Sequence, residues 1–167
     1  SSVLCIADGE GRNGVWLTKQ GMRVTGFDVS DIALAKANQL AADNQVNIQY
    51  SLCDTDGFDW QPHSYDAVMG IFIQFADPEM RTRIFKQVHQ TLKLGGLFIL
   101  QGYTPKQLEY KTGGPSLIEH LYTEEMIREL SKDFEILDLQ CYEKELSEGA
   151  RHTGMSALLG MVAKKRA

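Results

Sequence analysis

The amino-acid sequence predicts an α/β protein built on a doubly wound, mostly parallel sheet. Three observations support this. Apolar runs of strand length alternate with segments of helical periodicity. A glycine-rich turn follows the first apolar run. The last two strand-like runs are joined too closely for a parallel crossover. With 167 residues, 43% hydrophobic and 23% charged, the chain has the size and composition of one globular domain, taken as residues 1–167.

The elements follow in order. Val3 to Ala7 is a short apolar strand ending in a turn rich in glycine, and a helix runs from about Asn13 to Gln20 with Gly21 as its C′ residue. Arg23 to Asp28 is the second strand. Ser30 then caps a helix in which Ala33, Leu34, Ala37, Leu40 and Ala41 recur at helical spacing. Ile48 to Cys53 is the third strand. Tyr65 to Phe72 is nearly continuously apolar, as expected of a strand covered on both faces.

Asp77 and Pro78 mark the next helix start, with Met80, Ile84, Phe85, Val88 and Leu92 as its core stripe and Gly95-Gly96 as its end. Leu97 to Tyr103 is the fifth strand. Thr104 to Leu121 reads as a long loop of the kind that forms lids or binding sites. A helix from about Thr123 to Ser131 precedes two strands, Phe134 to Glu145 and Ser156 to Lys164. The ten residues between those strands are too few for a helical crossover, which predicts an antiparallel pair.

Composition excludes several functions. The net charge is −5, and Lys164-Lys165-Arg166 is the one dense basic cluster, so no electrostatic footprint for nucleic acid is present. No apolar run reaches the roughly 18 residues of a membrane span. Cys5, Cys53 and Cys141 form no CxxC pair, and His63, His89, His120 and His152 are scattered. The expectation is a cytoplasmic protein without structural metal or disulfide, with neither membrane nor nucleic acid as partner.

Ligands of a doubly wound sheet bind beyond the carboxyl ends of its strands, which directs attention to three turns. In Ala7-Asp8-Gly9-Glu10-Gly11-Arg12-Asn13-Gly14, the glycines let backbone approach a ligand and the helix start favours an anion. Gly9, Gly11 and Gly14 match GxGxxG, a pattern that turn geometry alone also produces. Asp28 ends the second strand nineteen residues beyond Gly9, where a carboxylate can accept from ribose hydroxyls; the alternative is a role in capping the next helix. Asp54 ends the third strand and can accept from an exocyclic amine, or it opens the next loop as an Asx-turn residue.

Together these residues resemble a class I S-adenosylmethionine-dependent methyltransferase of the tellurite-resistance-like and thiopurine-methyltransferase-like branch. Val3 to Asn13, with its Gly-Arg-Asn, is similar to the family's first motif, and Val24 to Asp28 to its second. Leu92-Lys93-Leu94-Gly95-Gly96-Leu97-Phe98 is similar to the turn into the fifth strand. The resemblance implies a Rossmann-like sheet of seven strands, only the seventh antiparallel, and S-adenosylmethionine as cofactor with S-adenosylhomocysteine as product. It implies a cofactor set of Ala7, Asp8, Gly9, Gly11, Arg12, Asn13, Asp28, Val29, Asp54, Thr55 and Ile71, with Phe58 as an apolar wall for adenine.

Departures from the pattern are Cys5 where many relatives have an acid and Ala7 where they have glycine. Asp8 or Glu10 can replace the missing acid. Relatives also have a helix before the first strand, so the pocket is expected to be open, covered by an upstream segment, or covered by a neighbouring subunit in a homodimer.

Methyl transfer from a sulfonium is an in-line displacement that needs alignment and exclusion of water more than a catalytic triad. A small-molecule acceptor is expected, positioned by Gln74, Tyr103, the loop from Thr112 to Pro115, Arg151 and His152. Arg151 would attract an anionic acceptor and His152 remove a proton; otherwise the two are polar residues of a surface hairpin. Two other functions fit parts of the pattern. A nicotinamide-dependent oxidoreductase would use the same glycine turn but needs a substrate domain, and a non-catalytic binding module would explain Cys5 and Ala7.

Overall fold

The computed structural model describes residues 1–110, 118–147 and 153–166. The alternating pattern folds as β1 (Ser2–Ile6), α1 (Arg12–Lys19), β2 (Arg23–Asp28), α2 (Asp31–Asp43), β3 (Gln49–Leu52) and β4 (Tyr65–Ile71). It continues with α3 (Pro78–Thr91), β5 (Leu92–Tyr103), α4 (Gln107–Tyr110), a 3-10 turn (Ile118–His120), α5 (Glu124–Leu130), β6 (Phe134–Ser147) and β7 (Thr153–Lys165). The seven strands form one sheet in the order β3-β2-β1-β4-β5-β7-β6. The first five strands pair in parallel, and β7 runs antiparallel to both β5 and β6. This is the doubly wound sheet with an antiparallel last strand.

Local chemistry starts the helices where the sequence puts them. Ser30 Oγ accepts from the Ala33 amide at 3.0 Å, Asp77 Oδ1 from Met80 at 2.9 Å, and Thr123 Oγ1 from Met126 at 3.2 Å. Each satisfies an amide that the helix itself leaves unpaired. The end of α3 differs from expectation: the helix stops at Thr91 and not at Gly95-Gly96. Leu92 is fully buried and pairs with Tyr65, and the register then shifts before Ala67 pairs with Leu97. Sheet pairing has overridden the helical signal, and Gly95, with φ +80°, belongs to this irregular stretch of β5.

The core lies on both sides of the sheet but unequally. On one side Leu4, Ile6, Val68, Phe98 and Leu100 pack with Ile84, Phe85 and Val88 of α3 and with Phe134. On the other, Val3, Cys5 and Val24 pack with Leu17 of α1, and Ala67 and Met69 join only partly buried. Along β4, Val68 and Gly70 are therefore buried while Ala67, Met69 and Ile71 are half-exposed. The strand is covered on both faces, as expected, with the Val68 face more deeply buried than the face of Ala67 and Met69. Within the segment read as a continuous loop, α4 and the 3-10 turn are formed. Among the described residues no helix is long and apolar enough to cross a membrane.

Candidate cofactor site

β1 pairs with β2 on one side and β4 on the other, so the strand order reverses there and a crevice opens beyond the strand ends. Both strands leave the sheet through a non-glycine residue in the left-handed region: Ala7 at φ +48° and Phe72 at φ +57°. Such backbone costs about 1 kcal/mol or more and gathers at functional sites. Ala7, Asp8, Gly9, Arg12, Asn13 and Ile71 line one cavity of about 250 Å³, completed by Glu10 and Phe72.

Asp28 is tied to this crevice. Its Oδ2 accepts from the Gly9 amide at 3.0 Å and its Oδ1 from the Ser30 amide at 3.0 Å. Each carboxylate oxygen has a second acceptor position, so the half-buried group can hold a sugar diol while bracing the turn. Gly9 has φ +61°, and a β-carbon placed on it would meet no protein atom within 4 Å. Backbone is thus presented to open space, the surface on which an adenosyl ligand can lie. The residues present fit such a group. Val29 is 68% exposed beside Asp28, and an apolar face there suits a purine. Phe58 stacks on Phe27 with ring centroids 4.4 Å apart and meets Trp60 edge-on at 5.1 Å.

Other predicted residues have structural duties. Gly11 leads into α1 with φ +89°, and a β-carbon there would lie 2.9 Å from both Ala37 Cβ and Tyr50 Oη. It is required for close packing. Asp54 is exposed and accepts from the Gly57 amide at 2.6 Å, realising the Asx-turn reading while its carboxylate stays accessible at the β3 tip. Thr55 is buried, and its carbonyl accepts from Trp60 Nε1 at 2.8 Å.

The carboxylates thought to replace an acid at Cys5 are used differently. Glu10 pairs with Lys36 at 3.3 Å in solvent. Asp8 turns beneath the glycine turn, where its Oδ2 accepts from Tyr50 Oη at 2.8 Å. Burial raises its pKa to about 6 despite the hydrogen bonds from Tyr50 and the Gly14 amide, with Asp28 adding repulsion. Burial, with the Asp8 charge nearby, also pushes the Cys5 thiol well above its ordinary range.

Gln74 does not face a substrate. It is 4% exposed, and its Nε2 donates to the carbonyls of Tyr103 at 2.8 Å and His120 at 2.9 Å. Its Oε1 accepts from the Tyr103 amide. The side chain brackets three segments together, and that consumes its polar atoms. Tyr103 is 1% exposed and stacks on Phe72 at 4.8 Å; it supports the crevice wall from behind. Arg151, His152 and the loop from Thr112 to Pro115 lie outside the described residues.

Sequence reading missed Phe72, Tyr50 and Arg81. Arg81 is buried on α3, and its Nη1 donates to the Glu119 carbonyl at 3.1 Å while the guanidinium lies 5.9 Å from the Tyr122 ring centre. Its position three and four residues before Ile84 and Phe85 placed it on the apolar stripe, a signal open to the sequence.

Strand order, the glycine turn and the acid answering it from the next strand define a nucleoside-binding domain of methyltransferase type. The family model for a methyltransferase domain matches residues 3–96. The chain belongs to that family, the class I S-adenosylmethionine-dependent methyltransferases. Thiocyanate methyltransferase 1 of Arabidopsis thaliana is 30% identical over 109 residues, covering 64% of this chain and 47% of the relative. The probable S-adenosyl-L-methionine-dependent methyltransferase TehB of Haemophilus influenzae is 24% identical over 147 residues, 87% of this chain and 49% of TehB. The chain thus spans about half the length of the curated relatives it matches. Among solved structures, a SAM-dependent methyltransferase of Methanosarcina mazei superposes with a TM-score of 0.81 at 22% identity, covering 99% of this chain and 92% of that one. TehB from Haemophilus influenzae gives 0.78 at 22%, covering 99% and 57%.

Proposed function

We propose that the chain binds S-adenosylmethionine in the crevice between β1 and β4 and transfers its methyl group to a small-molecule acceptor such as a thiol or an oxyanion. The observation that carries this reading is the bond from the Gly9 amide to Asp28. It joins a backbone surface and a sugar-binding acid at the point where the strand order reverses. The names of the relatives, a thiocyanate methyltransferase and TehB, support an acceptor of this size. The net charge of −5 argues against a polyanionic acceptor, and the unpaired cysteines suit a cytoplasmic setting.

When bound, the cofactor supplies an electrophilic methyl group. The protein's own part is to bind and align. Asp28 would hold the ribose hydroxyls and the Gly9–Asn13 backbone would pack along the ligand. Val29 and Phe58 would flank the base, while Ile71 and Phe72 close the wall opposite the turn and exclude water. No residue at the crevice needs to act as a base when the acceptor is already ionised.

A second reading, a binding module without turnover, is favoured by the burial of Gln74 and Tyr103, which leaves both unable to meet an acceptor without rearrangement. Incubation with methyl-labelled S-adenosylmethionine and a panel of thiols, halide-like anions and chalcogen oxyanions separates the two. Label appearing in a volatile or organic product supports transfer. Saturable cofactor binding with no labelled product across the panel overturns the small-molecule assignment.

A further inference from the structure

We infer that Asp8 and Tyr50 form a half-buried latch that fixes the Gly9–Gly14 turn in its ligand-ready shape, which makes both of them positioning residues for the cofactor. This rests on the cofactor reading above. The contact between them lies beneath the turn whose backbone lines the cavity. The sheet register sets Cys5, Gly26 and Tyr50 in one row across β1, β2 and β3. Tyr50 leans back over Gly26 so closely that a β-carbon there would lie 2.8 Å from its ring. Its hydroxyl reaches under the turn and donates to Asp8 Oδ2 at 2.8 Å.

Two more glycines keep that slot open. A β-carbon on Gly14 would sit 2.5 Å from Asp8 Oδ2 and 3.0 Å from Tyr50 Oη, and one on Gly11 would sit 2.9 Å from Tyr50 Oη. The pattern read as a ligand motif therefore serves its far side as well: Gly9 opens toward the crevice, and Gly11 and Gly14 open toward the latch. Asp8 is also bound through its backbone, its amide donating to the Phe27 carbonyl at 3.3 Å and its carbonyl accepting from the Gly11 amide at 3.1 Å. The adjacent Gly9 amide is held from the opposite side by Asp28. One turn is thus clamped between two carboxylates.

The groups facing Asp8 are Tyr50 from β3, Asp28 from β2, Cys5 from β1 and the Gly14 amide of α1. No cation is among those influences, and burial with Asp28 repulsion raises the Asp8 pKa to about 6. The latched site thus holds its proton more tightly than a solvated carboxyl does, so the latch is favoured below about pH 6 and loosens as pH rises through it.

Tyr50→Phe removes the hydroxyl and keeps the ring. Amide exchange in the free variant should accelerate about tenfold across Gly9–Gly14 while β4 and β5 keep their protection. Affinity for S-adenosylhomocysteine, read by calorimetry, should fall by a similar factor, the size expected for one hydrogen bond to a charged group. Asp8→Asn keeps an oxygen acceptor for Tyr50, so it should give smaller changes, and it should lose the fall in affinity from pH 5 to pH 7 expected of the unaltered protein. It serves as the test if Tyr50→Phe does not fold. Unaltered exchange in the turn, or faster exchange with unaltered affinity, overturns the proposal. If the unaltered protein binds no S-adenosylhomocysteine while the turn still loosens in the variant, the cofactor reading fails and the latch itself stands.

Discussion

Gln74 shows how one side chain can do structural work where a chemical role is expected. Its amide satisfies both the amide and the carbonyl of Tyr103 and the carbonyl of His120 inside the protein. Truncation takes this partner from the Tyr103 amide and the half-buried His120 carbonyl, at roughly 1–3 kcal/mol each before relaxation, while the Tyr103 carbonyl keeps the Tyr122 amide. Gln74→Ala should lower unfolding free energy by about 3 kcal/mol in a urea titration, and loss below about 1 kcal/mol would mean the bracket is dispensable. Asp8 makes a second residue-scale prediction, about pH. Its folded pKa of about 6 lies above its ordinary 3.8, so folding takes up a proton between those values. The stability this contributes is full below pH 3.8 and lost as pH rises through about 6. Asp8→Asn cannot ionise, so its melting temperature relative to the unaltered protein should improve between pH 4 and pH 8, by an equivalent of at most about 3 kcal/mol. A constant difference across that range would contradict the burial of a charged Asp8.

At the scale of elements, caps and turns make the most direct predictions. Ser30→Ala removes the acceptor for Ala33 and should cost about 1 kcal/mol in thermal unfolding; a neutral result would show that the Ser30 cap contributes nothing to stability. The same local chemistry explains what was legible in the sequence. Ser30, Asp77-Pro78 and Thr123 announced helix starts because a cap is a contact over three residues. Asp28 was legible through its spacing from the glycine turn, and the structure joins it to Gly9. Long-range pairing was not legible. The end of α3 followed the contact of Leu92 with Tyr65 across the sheet and not the glycine pair after it. Tyr50 meets Asp8 across 42 residues, and Gln74 meets Tyr103 across 29. No periodicity records such contacts. They depend on glycines leaving space and on the fold bringing strand tips together.

For the whole molecule, the sheet order decides where chemistry can occur. β1 and β4 are neighbours where the strand order reverses, each exits through a left-handed residue, and Asp28 at the end of β2 holds the Gly9 amide. The last hairpin completes the sheet by pairing β7 with β5, and buries Leu158, Leu159 and Met161. Its burial gives β5 a rigid neighbour, and Tyr103 at the end of β5 then braces Phe72 in the crevice wall. Binding of a nucleoside is thus the property that unites the parts. Side-by-side calorimetric titration of the unaltered protein and Asp28→Ala with S-adenosylhomocysteine, both shown to be folded by circular dichroism, measures it most directly. The expected result is saturable binding by the unaltered protein and at least a tenfold loss, about 1.4 kcal/mol, in the variant. Equal affinity in the two proteins, or no binding by the folded unaltered chain, would contradict it.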